Sequence, residues 1–241
     1  MGLTKYETFE HKGQSWKQYL APKSDEAYVL GVDLGQSQDP TALAVLHYTL
    51  TPTDEWDVND RLRITKPVVE ERFDVVHAER LPLGTLYPQV IEHVVDVLSR
   101  KPLRDRCHFV LDESGVGRAV ADQFDDAGLN PVRVCITAGN DAQKLDGHPR
   151  RFSVPKTMII SAVDARLHTG ELRFAAELSE ASTIAEELKE FRRHVTTAGR
   201  ATYQARTGKH DDLVLAVAIA LWWVPERTKY RHTTGLLRGL Y

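Results

Sequence analysis

Four aspartates stand where an apolar run ends or begins. Asp33 closes "YVLGVD", Asp112 closes "HFVLD", and Asp211 and Asp212 open "DDLVLAVAIALWW". A carboxylate at the edge of a core is costly unless it is paired or coordinates a metal. These sites come without a thiolate or a histidine cluster, so an all-oxygen donor set suits a hard cation, Mg²⁺ or Mn²⁺. Shared carboxylates can hold two such ions roughly 3.5–4 Å apart, an arrangement that activates a water and stabilises a leaving oxygen in phosphodiester cleavage. Each acid also has a plainer role. Asp33 could initiate a turn, Asp112 could cap the next helix, and Asp211 or Asp212 could be an N-terminal helix acid favoured by the macrodipole. Their combination is more specific, because one sheet can bring all three positions together.

The elements needed to do so are legible in the pattern. Residues 28–33 read as a central strand, 41–49 as a second and 68–80 as a third, with 51–61 a loop or hairpin excursion. Apolar residues at 86, 90, 91, 94, 95 and 98 form a helical stripe. A strand over 107–111, a helix over 115–127 and a strand over 131–137 follow, then a polar loop over 139–152. Helices are expected over 156–167, 179–195 and 211–224, with short strands at 172–174 and 199–205. Three consecutive strands can pair antiparallel, while later strands separated by helices pair in parallel. The expected fold is therefore an α/β mixed sheet with helices on both faces. In an open α/β sheet, ligands bind beyond the carboxyl ends of the strands, where Asp33 and Asp112 fall. The expected organisation is a polar arm over 1–26, one domain over 27–225 and a basic tail over 226–241.

Composition narrows the class. The chain has 241 residues, 42% hydrophobic and 27% charged, which is ordinary for a soluble globular protein. No apolar run is long enough to span a bilayer, and the N-terminus does not read as a signal peptide, so a cytoplasmic protein is expected. Two cysteines, Cys107 and Cys135, both in expected strands, suggest buried reduced thiols rather than a zinc site or disulfides. Charge is unevenly spread. From Lys189 to Tyr241, ten Lys and Arg face four Asp and Glu, giving +6 against -9 for the rest of the chain. A basic quarter on an acidic body suits a polyanion that touches one face.

The motifs "VLGVDLG…DPTALAVL", "FVLDESGVGRAVADQF" and "GKHDDLVLAVAIALW" together resemble the nuclease domain of large terminase subunits of tailed bacteriophages, in the RNase H-like superfamily. The resemblance covers about residues 28–224. It implies that Asp33, Asp112 and one of Asp211 and Asp212 hold two divalent ions, with the second acid favoured as the direct ligand. It implies an endonuclease that cuts concatemeric viral double-stranded DNA during packaging in the host cytoplasm. Its expected partners are an ATPase domain, a small terminase subunit and a portal. No G-x-x-x-x-G-K-[ST] motif is present, so the chain reads as an excised nuclease domain or a free-standing relative rather than a motor.

Arg200, Arg206, Lys209 and His210 are the expected DNA contacts, and a solvated loop is the competing reading for them. Ser114 could reach a phosphate or satisfy a turn amide. Trp222 and Trp223 lie on an apolar helix and are expected in the core. Three rivals share some of these features. A Holliday-junction resolvase would need a symmetric dimer. An actin-like ATPase would need a second such domain and a late adenosine-binding glycine motif. A DNA-binding adaptor would use its acids structurally and cut nothing.

Overall fold

The computed structural model describes residues 5–35, 39–190, 192–195, 201–204 and 211–230. The chain divides into two units, Met1–Glu26 with Tyr48–Arg72, and Ala27–His47 with Phe73–Tyr241.

In the first unit, β1 (Tyr6–His11) and β2 (Gln14–Tyr19) form an antiparallel hairpin, and β2 pairs in parallel with β5 (Ile64–Arg80) at Lys17 and Gln18. The segment read as a polar arm is thus structured. Its aromatic residues give it a small core of its own. Trp16 is buried, with Phe9 and His11 against its ring. The strand β4 (Ala42–Asn59) runs on through 51–59 and β5 returns beside it, the hairpin excursion rather than the loop of the two readings for 51–61. Its distal half is mostly exposed and polar, so it lacks the hydrophobic alternation that marks a half-buried strand.

The second unit carries the expected mixed sheet, with antiparallel strands followed by parallel ones. Its strand order is β5, β4, β3 (Asp25–Asp33), β6 (Cys107–Asp112), β7 (Val132–Thr137), β9 (Arg151–Pro155) and β8 (Gln143–Lys144). Four strands, β3, β6, β7 and β9, run parallel in that order, and β10 (Leu172–Phe174) pairs in parallel with β5. The sequence pattern missed β8 inside the polar loop and β9, which begins at the loop's end. Only Phe152, Val154 and Pro155 of β9 are buried, too short a run to stand out from a Gly- and Asp-rich stretch.

Helices α1 (Tyr87–Ser99) and α2 (Arg118–Asp126) cover one face of the sheet. Val90, Val94, Val97, Ala121 and Phe124 pack there on Leu30, Val32, Phe109 and Leu111. Helix α3 (Lys156–Thr169) packs against α5 (Asp212–Tyr230), as does α4 (Ala181–Glu190). The amphipathic helix expected to run to 195 stops at Glu190, and Arg192–Val195 pairs with Ala201–Gln204 as the β11–β12 ladder. Trp222 and Trp223 are buried against Phe152, in the core as expected. Cys107 and Cys135 are unpaired but half-buried rather than buried, and desolvation pushes the Cys107 thiol up to about 12. Among the described residues, no helix is long and apolar enough to cross a membrane.

Candidate metal centre

Asp33 and Asp112 are register partners on the adjacent parallel strands β3 and β6. Neighbouring strands lie about 4.8 Å apart, so the two carboxylates leave the same face side by side. Alternation decides which face. Leu30 and Val32 point into the core beneath α1 and α2, which leaves Gly31 and Asp33 on the opposite face. There, a Cβ built on Gly31 would stand 2.0 Å from the carbonyl oxygen of Ala216. The α5 backbone therefore rests directly on β3, and only glycine permits that approach. Asp212 lies one helical turn before Ala216, and Asp33 lies two residues beyond Gly31. This contact carries the N-terminus of α5 to the end of β3. Gly31→Ala should consequently push α5 off the sheet. The expected loss is about 3 kcal/mol, the upper end of ordinary overpacking, and the melting temperature should fall by roughly 10 °C. A calorimetric scan unchanged from wild type would mean that the helix does not rest on this strand.

The cluster is electrostatically strained. Asp33 is held well above the usual carboxylate range, first by burial among protein atoms and then by the charges of Asp112, Asp212 and Asp211. Asp112 is buried and also raised, chiefly by desolvation, against the opposing pull of Ser114. The Ser114 N–H donates to Asp112 Oδ1 at 2.9 Å, and its hydroxyl donates to the same oxygen. That hydroxyl in turn accepts the Ile136 N–H at 2.6 Å. Ser114 therefore orients Asp112 and ties it to β7. The Asp211 carbonyl accepts the Leu215 N–H at 2.9 Å, which makes Asp211 the cap of α5, and its Oδ2 pairs with Lys156 Nζ at 2.7 Å. Asp212, at the first helical position, is buried and lies 3.5 Å from Arg80.

The donor set fits a hard divalent ion. Asp33 feels the charges of Asp112, Asp212 and Asp211 at the ends of two strands and one helix, and without added positive charge it is held well above its ordinary value. Among the described residues, no three His, Cys, Asp or Glu side chains already meet as a formed cage. Some of their oxygens instead take protein donors from Ser114 and Lys156, and Asp212 forms an ion pair with Arg80 at 3.5 Å.

Sequence reasoning missed three participants. Glu187 of α4 is buried, accepts the Val214 N–H at 3.0 Å, and pairs with Arg80 at the end of β5. It thereby supplies a side-chain cap to the first turn of α5 from a different helix. A signal was present: Glu187 falls three residues after Ile184, on the buried stripe of its own helix. Lys156 is the third. Its position opening α3 was expected, but its proximity to the acids was not, because it depends on β9. Burial pushes Glu187 up to about 7, with the Val214 N–H and then the Arg80 guanidinium opposing the rise. Glu187→Ala strands an N–H and a guanidinium, and urea unfolding should show a loss of about 2–3 kcal/mol. Glu187→Gln, which keeps an acceptor, should lose roughly half as much. Equal stability of all three proteins would remove Glu187 from the support of α5.

The expected DNA contacts Arg200, Arg206, Lys209 and His210 lie outside the described residues, as does the expected tail beyond Tyr230.

No family model matches the chain. The large terminase subunits of Thermus virus P23-45 and Thermus phage G20c are each 24% identical to it over 198 residues. That alignment covers 82% of this chain and 32% of each relative, so the chain spans about a third of the length of the curated relatives it matches. Among solved structures, the large terminase nuclease of thermophilic phage G20c superposes with a TM-score of 0.50 at 20% identity, covering 81% of both chains. The large terminase nuclease domain of Thermus phage P74-26 superposes with a TM-score of 0.51 at 18% identity, covering 82% of this chain and 80% of that one. The G20c nuclease with bound cobalt gives 0.50 at 21% identity, covering 82% and 81%. The chain is distantly similar in sequence to large terminase subunits, and its fold is that of their nuclease domain, an RNase H-like mixed sheet.

Proposed function

We propose that the chain is a divalent-metal-dependent DNA endonuclease of the terminase type, cutting concatemeric viral double-stranded DNA during packaging. The observation that carries this reading is the pairing of Asp33 with Asp112 in one parallel register, with the N-terminus of α5 drawn over them at Gly31. The G20c nuclease of the same fold binds cobalt, which supports a metal-dependent reading of this chain. Asp33, Asp112 and Asp212 would hold the ions, Mg²⁺ or Mn²⁺ and two in number, with Asp33 shared between them. Bound there, such ions supply an activated water and stabilise the leaving oxygen. The chain's own part is to fix the acids. The ladder sets Asp33 beside Asp112, Ser114 aims Asp112, and Glu187 with Arg80 holds the first turn of α5. An ATPase portion, a small subunit and a portal are the partners this reading implies, in the host cytoplasm.

The test is incubation of supercoiled and linear DNA with Mg²⁺, Mn²⁺, Ca²⁺ or EDTA. Nicked and linear products with Mg²⁺ or Mn²⁺ but not EDTA are expected. DNA binding with no cleavage under any ion would favour an adaptor instead. For DNA engagement, replacing Arg200, Arg206 and Lys209 together with alanine should weaken binding alike across sequences. It should also flatten the log-log salt slope by about 0.9 for each lost phosphate contact. A slope that does not move would place the DNA on other residues.

A further inference from the structure

Strand β9 runs parallel to β7, so its carboxyl end meets the same edge of the sheet as Asp33 and Asp112. The next residue, Lys156, opens α3, with Pro155 as the extended cap before it. A lysine is poorly placed there on local grounds. The helix macrodipole disfavours a cation in the first turn, and α3 has no acid in that turn to offset it. What holds the ammonium lies outside its own helix. Nζ stands 2.7 Å from Asp211 Oδ2. Its charge also reaches Asp33 and Asp112, and in both cases it opposes the burial and repulsion that raise them. Among the described residues, Arg80 is the other cation at the cluster, and its contacts go to Glu187 and Asp212. One ammonium therefore pairs with Asp211 and acts through its charge on Asp33 and Asp112.

We propose that Lys156 is a positioning residue of this site: its ammonium is a built-in counter-ion that holds Asp211 and competes with a divalent ion for the same carboxylates. This inference rests on the metal reading above. Its physical basis is linkage. Two cations drawn to one set of acids weaken each other, and the weakening is reciprocal. In chelator, Lys156 offsets repulsion that would otherwise act against the folded state. With an ion bound, the same charge opposes the ion. The lysine thus lowers metal affinity while stabilising the apo fold.

Thermal melting of the whole chain without DNA, titrated with Mn²⁺ and separately with Ca²⁺, gives a readout independent of cleavage. Lys156→Met should melt below wild type in EDTA, show a larger gain at saturating Mn²⁺, and reach half of that gain at an Mn²⁺ concentration lower by on the order of tenfold. Lys156→Arg, which keeps the charge, should restore both the EDTA melting temperature and the wild-type midpoint. Lys156→Gln should follow the methionine variant, and it serves if the apolar side chain prevents folding. An unchanged midpoint in the neutral variants would show that Lys156 does not compete with the ion. A higher midpoint would show that it organises Asp211 as a ligand, and either result overturns the inference. If no ion shifts the melting of even the wild-type chain, the metal reading itself fails, an outcome distinct from the other two.

Discussion

Asp33→Asn should abolish DNA cleavage and raise stability in the same molecule. The effect on nicking should reach several orders of magnitude, because the variant loses the carboxylate expected to be shared between two ions. The gain in stability follows from the electrostatics. The group is held well above its ordinary value of 3.8 by burial and by Asp112, Asp212 and Asp211. A carboxyl raised in the folded state binds its proton where the unfolded chain has already released it. Folding is then favoured by this group at low pH, and the benefit is lost as pH rises from about 3.8 through the raised value. Asparagine carries no charge at any pH, so in EDTA the variant should melt above wild type at neutral pH, and the gap should close as pH falls toward 3.8. Saturating Mn²⁺ should reverse the order, since only wild type binds the ion fully. A folded variant that nicks DNA at the wild-type rate would sink the metal assignment. A variant that melts below wild type in EDTA at every pH would show that Asp33 is held by favourable contacts instead.

The fold and the candidate site were legible to different depths, and the reason is range. β3 and β6 could be read because each is a short, nearly unbroken apolar run, and α5 because its apolar residues outlast any strand. Their terminal acids could be named for the same reason: each marks the point where burial stops. Gly31 sits in plain view in "YVLGVD", yet nothing local shows that Ala216 lies over it. The hairpin of residues 6–19 was hidden by its exposure, since strands that bury one tryptophan show little alternation. Lys156 and Glu187 were missed because their significance is tertiary. Each is an ordinary charged residue on its own helix and becomes part of the site only through a neighbour more than twenty residues away. Charge counting found the basic C-terminal quarter but could not say which of its residues face a ligand.

The adjacent acids should separate cleanly when each is neutralised. Consecutive helical residues point about 100° apart, so Asp211 and Asp212 cannot address one ion equally. The structure gives them different surroundings. Asp211 caps α5, is about a fifth exposed and is engaged by Lys156. Asp212 is 6% exposed and lies within the turn that Glu187 and Arg80 support. A buried, supported carboxylate suits a direct ligand, and a capping, lysine-paired one suits a supporting role. Asp212→Asn should therefore reduce cleavage below detection, while Asp211→Asn should lose roughly 10–100-fold, the usual cost of disturbing a group behind the ligands. Asp211→Asn should also lose about 0.5–1 kcal/mol of stability in urea, because asparagine remains a good cap and only the ion pair with Lys156 is lost. Cleavage rates over an Mn²⁺ titration distinguish the two roles. For Asp211→Asn, added Mn²⁺ should recover part of the rate. For Asp212→Asn, no concentration should. Activity retained by Asp212→Asn with Asp211→Asn dead would reverse the assignment. Activity retained by both would detach α5 from the metal centre and leave Asp33 and Asp112 without their third partner.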